Sequence, residues 1–243
     1  TVPFALGVVA RARYIRRMFL ACSPVRCGAL ATAVLAACGG SDPTGPDAPN
    51  PIAPSEDRNR DLLGVDLSVD VTAHTATAVI EVAPSASTGL SLEIGDLEIQ
   101  SVTLDGQALE WIDQGDRLDI GVPANQPLNV SISYQYLIHD EFDGDSGSYT
   151  LVWPYFCGNL YPCKSEPADG LTFGLSLTGV PSDRVAIFPT EIPTDAPSYM
   201  VAWALGDYTQ LPLGATSAGT QVNMWHLPGQ EAAAAAGGAN LTA

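Results

Sequence analysis

Cys157 and Cys163, with five residues between them, are the first pair in the chain that could do chemistry. In an oxidising compartment such a pair closes into a disulfide. Otherwise it is two buried thiols or half of a metal site. The histidines are His74, His139 and His226, and none lies in the paired-histidine spacing of a zinc helix. His139 opens an acidic run, LIHDEFDGDSG, with Asp140, Glu141, Asp143 and Asp145 close behind. Oxygen ligands so crowded could hold calcium, but the spacing departs from the twelve-residue calcium loop. The competing reading is a solvated loop between strands. His74 is expected in a surface turn, and His226, beside Trp225, in a structural role. There is no G-x-S-x-G elbow for a serine nucleophile, and the glycines form no phosphate cradle. These residues assemble no catalytic constellation.

The elements that must position them read as strands. Val65, Leu67, Val69 and Val71 recur at every second position, as do Ala76, Ala78, Ile80 and Val82. That is the period of a strand buried on one face. Leu90, Leu92 and Ile94 continue it, followed by Leu97 and Ile99, then Val102 and Leu104. Asp105-Gly106 is a hairpin turn signal, with residues 108–112 as the returning strand. Further strands are expected over 117–120, 128–136, 148–153, 171–177, 185–188, 199–206 and 221–226. The first helix-like run is EAAAAA, 231–236. The fold class is all-β, a twisted two-layer sandwich.

Charge is divided along the chain. Five of the ten basic residues precede Cys38, and no acidic residue does. The remainder holds 5 basic against 27 acidic residues, a net charge of −22. Such a surface repels phosphate backbones, which excludes a nucleic acid partner. Before Cys38, the arginines from Arg11 to Arg26 are followed by the apolar run GALATAVLAA, too short to span a membrane. The ending Leu35-Ala36-Ala37-Cys38 resembles the bacterial lipoprotein signal, which is cut before a cysteine that then receives lipid. The alternative is an ordinary export signal with an incidental cysteine. Gly39, not Asp, follows Cys38, which in Gram-negative lipoproteins favours the outer membrane. The expected organisation is a signal over 1–38, a Gly/Pro/Ser/Asp-rich flexible tether over 39–60, a β domain over 61–227 and the start of a downstream region over 228–243. The protein is thus expected to be exported, with a lipid anchor at Cys38 making the membrane its partner.

Residues 160–173, LYPCKSEPADGLTF, resemble a segment of the aminopeptidase N family of zinc metallopeptidases, F-P-C-x-D-E-P-x-x-K-A-T-F. Pro162, Cys163, Glu166, Pro167, Thr172 and Phe173 fit without a gap. Ser165 stands in place of Asp and Gly170 in place of Lys. Residues 197–208, PSYMVAWALGDY, resemble the family's P-M-S-T-Y-L-x-A-F-x-V-G-D-F, in the right order and spacing. The resemblance covers about residues 62–228.

It implies an N-terminal β domain placed before a thermolysin-like domain. There, G-x-M-E-N would bind the peptide's N-terminus and HExxH with a distal Glu would hold zinc, whose bound water attacks the peptide carbonyl. Neither motif occurs in this chain, so it is expected to be inactive alone, with no cofactor of its own and zinc held in the catalytic domain. Peptide substrate would be a partner through that domain. The family's T-Q-x-E loop, which contacts the substrate amine, aligns with Thr150 to Trp153, so Leu151 replaces Gln and Trp153 replaces Glu. An indole does not substitute chemically for a carboxylate at an ammonium group. Leu151 and Trp153 are the candidate substrate-binding residues, with a core aromatic as the other reading of Trp153. The alternative for the whole chain is a stand-alone β-sandwich lipoprotein that binds a ligand or partner at the envelope.

Overall fold

The computed structural model describes residues 51–140, 143–152 and 156–242. Cys38, Trp153 and the signal segment lie outside the described residues.

Among the described residues, sixteen strands and one α-helix run from Leu62 onward. They are β1 (Leu62–Asp70), β2 (Thr75–Val82), β3 (Gly89–Glu93), β4 (Glu98–Leu104), β5 (Gln107–Ala108), β6 (Trp111–Asp113), β7 (Arg117–Gly121) and β8 (Leu128–Gln135). After these come β9 (Gly144–Asp145), β10 (Thr150–Leu151), β11 (Leu171–Thr178), β12 (Val185–Ile187), β13 (Glu191–Ala196), β14 (Ala204–Gly206), β15 (Thr209–Ala215), β16 (Gln221–His226) and α1 (Glu231–Gly238).

A seven-stranded sheet runs in the order β13-β11-β1-β2-β8-β4-β5, and a three-stranded sheet in the order β3-β7-β6. Only β1 and β11 pair in parallel within the large sheet, Val65 opposite Phe173. The alternating residues face a common core. Leu67, Ala78, Ile80, Val130 and Ile132 from the large sheet join Leu90, Leu92, Leu118 and Ile120 from the small one, all buried. The all-β, two-layer expectation holds. Each fully buried Leu or Ile here contributes about 1.5–3 kcal/mol.

Local chemistry explains the details. Leu62 and Val65 are both buried although three positions apart, because the register shifts at Gly64. That bulge re-phases the alternation. Asp105 (φ 51°) and Gly106 (φ 78°) both occupy the left-handed region, as a two-residue hairpin turn requires.

Several expectations need correction. Residues 108–112 are not one returning strand. β5 closes the hairpin on β4, and β6 then crosses to the small sheet. Both sheets use the same alternation, so the crossing leaves no mark in the sequence. Residues 199–206 are mostly a 3-10 turn at Ser198–Met200 and an extended segment burying Val201 and Trp203, with strand only in β14. Strand over 148–153 is confined to β10 in the described part. β13 and β15 escaped notice because they carry Pro193 and Pro212 and are mostly exposed. Proline is tolerated where a strand has a free edge.

Residues 52–60, expected as the end of the tether, are described. They lie against the small sheet: a Cβ on Gly121 would sit 1.9 Å from the Ile52 carbonyl oxygen. Asp57 N–H donates to Ser91 Oγ (2.9 Å), and Ser91 N–H donates to Asp57 O (2.9 Å). Arg60 is 2% exposed, its guanidinium donating to the carbonyls of Ser87 (3.0 Å) and Pro123 (3.1 Å). Its two terminal nitrogens are engaged by carbonyls while Nε has no partner, and those bonds hold the segment in place.

Candidate functional site

Cys157 and Cys163 are joined in a disulfide, Cα atoms 6.2 Å apart, and both are about 1% exposed. The bridged turn is stitched to β3: Glu93 N–H donates to Cys163 O (2.8 Å), and Cys163 N–H returns to Glu93 O (3.1 Å). The Glu93 carboxylate accepts from Ser165 N–H (3.1 Å) and from Ser165 Oγ. Ser165, where the resemblance has Asp, is buried and also lies 3.4 Å from Cys157 Sγ. An Asp there would set two carboxylates against each other, so serine suits a partner that is already Glu93.

Glu93, Cys157 and Cys163 bring their ligating atoms within 4.8 Å of one another, the one such cluster among the described residues. The donor set does not fit zinc. Both sulfurs are spent in the disulfide, so neither is a thiolate, and the carboxylate is already bonded to Ser165. No zinc chemistry follows from these residues.

Beside this turn lies a groove of about 680 Å³, lined by Arg58, Ser91, Glu93, Arg117, Lys164 and Asp169 among others. Its basic groups are paired with nearby carboxylates. Arg117 forms a fork to Asp119 (2.9 Å to each oxygen). Arg58 meets Glu56 at 2.8 Å, and Lys164 pairs with Asp169 while donating to Arg60 O (2.9 Å). Burial pushes the Asp119 carboxyl up, but Arg117 and Ser91 outweigh it and hold it below the usual range. The hydrogen bond to Asp169, with burial, raises Asp61. The groove can bind a polar ligand, but it presents no activated nucleophile with a base.

The stretch expected to touch substrate is fixed elsewhere. Thr150 N–H donates to Trp203 O (2.9 Å), and Trp203 N–H donates to Thr150 Oγ1 (2.9 Å). Leu205 N–H donates to Ser148 O (2.6 Å). Thr150 is thereby buried while Leu151, opposite Gly144, points outward and is 41% exposed. Leu151 is thus available to a ligand on that side.

The described residues of the acidic run are tied into the fold beside β10. Asp145 is 1% exposed, its Oδ1 accepting from Gly147 N–H (2.7 Å). Burial pushes its carboxyl up, and likewise the Tyr136 hydroxyl. His139 faces Asp143 through Nδ1 (3.3 Å) and Asp96 through Nε2 (3.5 Å). Among the described residues, the oxygens of this run do not form a cluster that could hold a metal ion. His74 sits in the β1–β2 turn at φ 53°, its ring 5.6 Å from Tyr136. His226 is buried, with Nδ1 3.1 Å from Leu227 O.

The two segments that carry the family resemblance meet in space. Tyr161 Oη donates to Ser198 O (2.8 Å), and Ser198 Oγ donates to Lys164 O. Sequence reasoning missed Glu93, which contacts Ser165 from 72 residues away. The signal was a charged residue within the alternation of Leu90, Leu92 and Ile94.

No family model matches the chain, and no curated protein does. Solved structures do match its fold. An M1 zinc metallopeptidase from Deinococcus radiodurans superposes with a TM-score of 0.57 at 17% identity, covering 71% of this chain and 49% of that one. Legionella pneumophila aminopeptidase A, in complex with aspartic acid, gives 0.64 at 14% identity over 73% of this chain and 25% of that one. Yeast LTA4 hydrolase in complex with bestatin gives 0.54 at 19% identity over 71% and 32%. The chain therefore spans about half or less of each, and shares its fold with one part of these zinc metallopeptidases.

Proposed function

We propose that this chain is the N-terminal, non-catalytic β domain of an exported, lipid-anchored zinc aminopeptidase. It supports binding of a peptide's N-terminus, and residues outside this chain remove the terminal residue. The observation that carries the reading is the contact between Tyr161, Lys164 and Ser198, which joins the two resembling segments within a fold common to zinc metallopeptidases. Zinc belongs to the catalytic domain, since the donor set around Glu93 does not fit it. Leu151 offers the substrate side an apolar contact where the family places an amide, and Trp153 is its proposed companion. The basic cluster, the short apolar run and the Leu-Ala-Ala-Cys box support export and acylation at Cys38. Labelling with a radioactive fatty acid tests that part, with incorporation in the native chain and none in Cys38→Ala.

The gene tests the main reading. A frame running past the Ala243 codon into G-x-M-E-N and HExxH supports it, and a stop codon there defeats it. The second reading is a stand-alone envelope lipoprotein, favoured by the groove beside Glu93, which this unit builds entirely from its own residues.

A further inference from the structure

We propose that the groove beside the disulfide turn binds an uncharged saccharide. Every residue of the site belongs to this chain, so the binding is independent of any catalytic domain. Three segments far apart in sequence form its walls. They are residues 58–59 before β1, Ser91 and Glu93 on β3 with Arg117 on β7, and residues 164–169 after the bridge.

Each wall is bonded to the next. Ser91 N–H donates to Asp57 O (2.9 Å), which joins the first segment to the second. Cys163 N–H donates to Glu93 O (3.1 Å), which joins the second to the third. Lys164 Nζ donates to Arg60 O (2.9 Å) and closes the ring. The walls are ordered before a ligand arrives, so binding does not bear that cost. The volume of about 680 Å³ lies within the ~300–1,000 Å³ of small-molecule sites.

The hydrogen-bonding groups select the ligand class. Of the five basic residues after Cys38, three line the groove, each beside a carboxylate: Arg58 with Glu56, Arg117 with Asp119 and Lys164 with Asp169. The fork to Asp119 uses Nε and Nη2 of Arg117 and leaves Nη1 without a partner among the described residues. Arg58 engages Glu56 through Nε, and its terminal nitrogens are likewise without a partner there. Asp116 and Glu166 also line the groove and form no ion pair among the described residues. N–H donors thus stand beside carboxylate acceptors. A ligand with acceptors alone, such as a phosphate, would face the carboxylates. One with donors alone, such as an ammonium, would face the guanidinium groups. A hydroxyl both donates and accepts, so neighbouring hydroxyls on a sugar ring can meet an N–H and a carboxylate oxygen in turn. A peptide backbone also does both, but the ladder groups of β3 are taken here. Asp57 holds Ser91 N–H, and Cys163 holds both backbone groups of Glu93, so a peptide cannot add as a strand.

Titration of the full chain with maltotriose and with triacetylchitotriose, read by amide shifts in NMR, tests the site. At least one should shift the Asn59, Ser91 and Ser165 amides, leave Ile80 in place and give a Kd on the order of 1 mM. Raising the salt concentration should leave that Kd unchanged, because a neutral ligand is not screened. Arg58→Ala combined with Glu166→Ala removes one exposed donor and one exposed acceptor and should weaken binding about tenfold. No groove shift with either sugar up to roughly 10 mM overturns the proposal, as does unchanged affinity in the double variant. Tighter, salt-sensitive binding of inorganic phosphate or of spermidine at the same amides also overturns it. So does tetraglycine shifting those amides where the sugars do not.

Discussion

Two loops cross the same end of β3 and are held by opposite means. The turn from Cys157 to Ser165 is fixed by a covalent bridge, paired backbone bonds to Glu93 and a carboxylate fully engaged by Ser165. The loop bearing His139 is held by titratable side chains, two of whose buried atoms lack a partner. The first arrangement is closed by a covalent bond. The second rests on long side-chain contacts, 3.3 and 3.5 Å from the imidazole. The difference shows how one scaffold can fix one loop covalently and hold its neighbour by side-chain contacts alone.

The comparison can be broken from its rigid side first. Glu93→Leu strands Ser165 N–H and Oγ in a buried place and should cost about 2–3 kcal/mol in a denaturant melt. A loss below about 0.5 kcal/mol would mean that water replaces the carboxylate freely. Replacing both cysteines with serine opens a small loop and should cost about 2 kcal/mol. Peptide mapping without reductant should recover Cys157 joined to Cys163.

In the other loop, Gly144→Ala drives a methyl into the His139 ring and should cost about 1–2 kcal/mol. The smallest effect is expected at Asp145. Its carboxyl is raised by burial, so the folded state favours the protonated form, and stability falls as pH rises from the ordinary carboxylate range through the raised value. Asp145→Asn keeps an acceptor for Gly147 N–H and removes that charge. It should gain slightly at neutral pH, with the gain vanishing in acid melts.

Much of the core was legible because one-sided burial writes itself as alternation. The strands β1, β2 and β8 were readable from Val65, Ala78 and Val130 and their neighbours. β13 and β15 were not, since exposed edges carry no alternation and Pro193 and Pro212 argued against strand. The cysteine pair could be read from its spacing and the expectation of export. The Glu93–Ser165 contact could not, because its partners are far apart in sequence and neither belongs to a recognisable pattern. Arg60 was hidden for a different reason. An arginine after a polar tract reads as solvated, and only the fold supplies the carbonyls that bury it.

The central claim, that this β unit serves a zinc aminopeptidase, is tested most directly by the product of the gene read through beyond Ala243. Zinc content and hydrolysis of an aminoacyl anilide should be measured on that protein and on the 243-residue chain. The account predicts about one zinc per extended chain and release of the anilide, with neither in the shorter one. An extended protein that binds no zinc and leaves the anilide intact would contradict it.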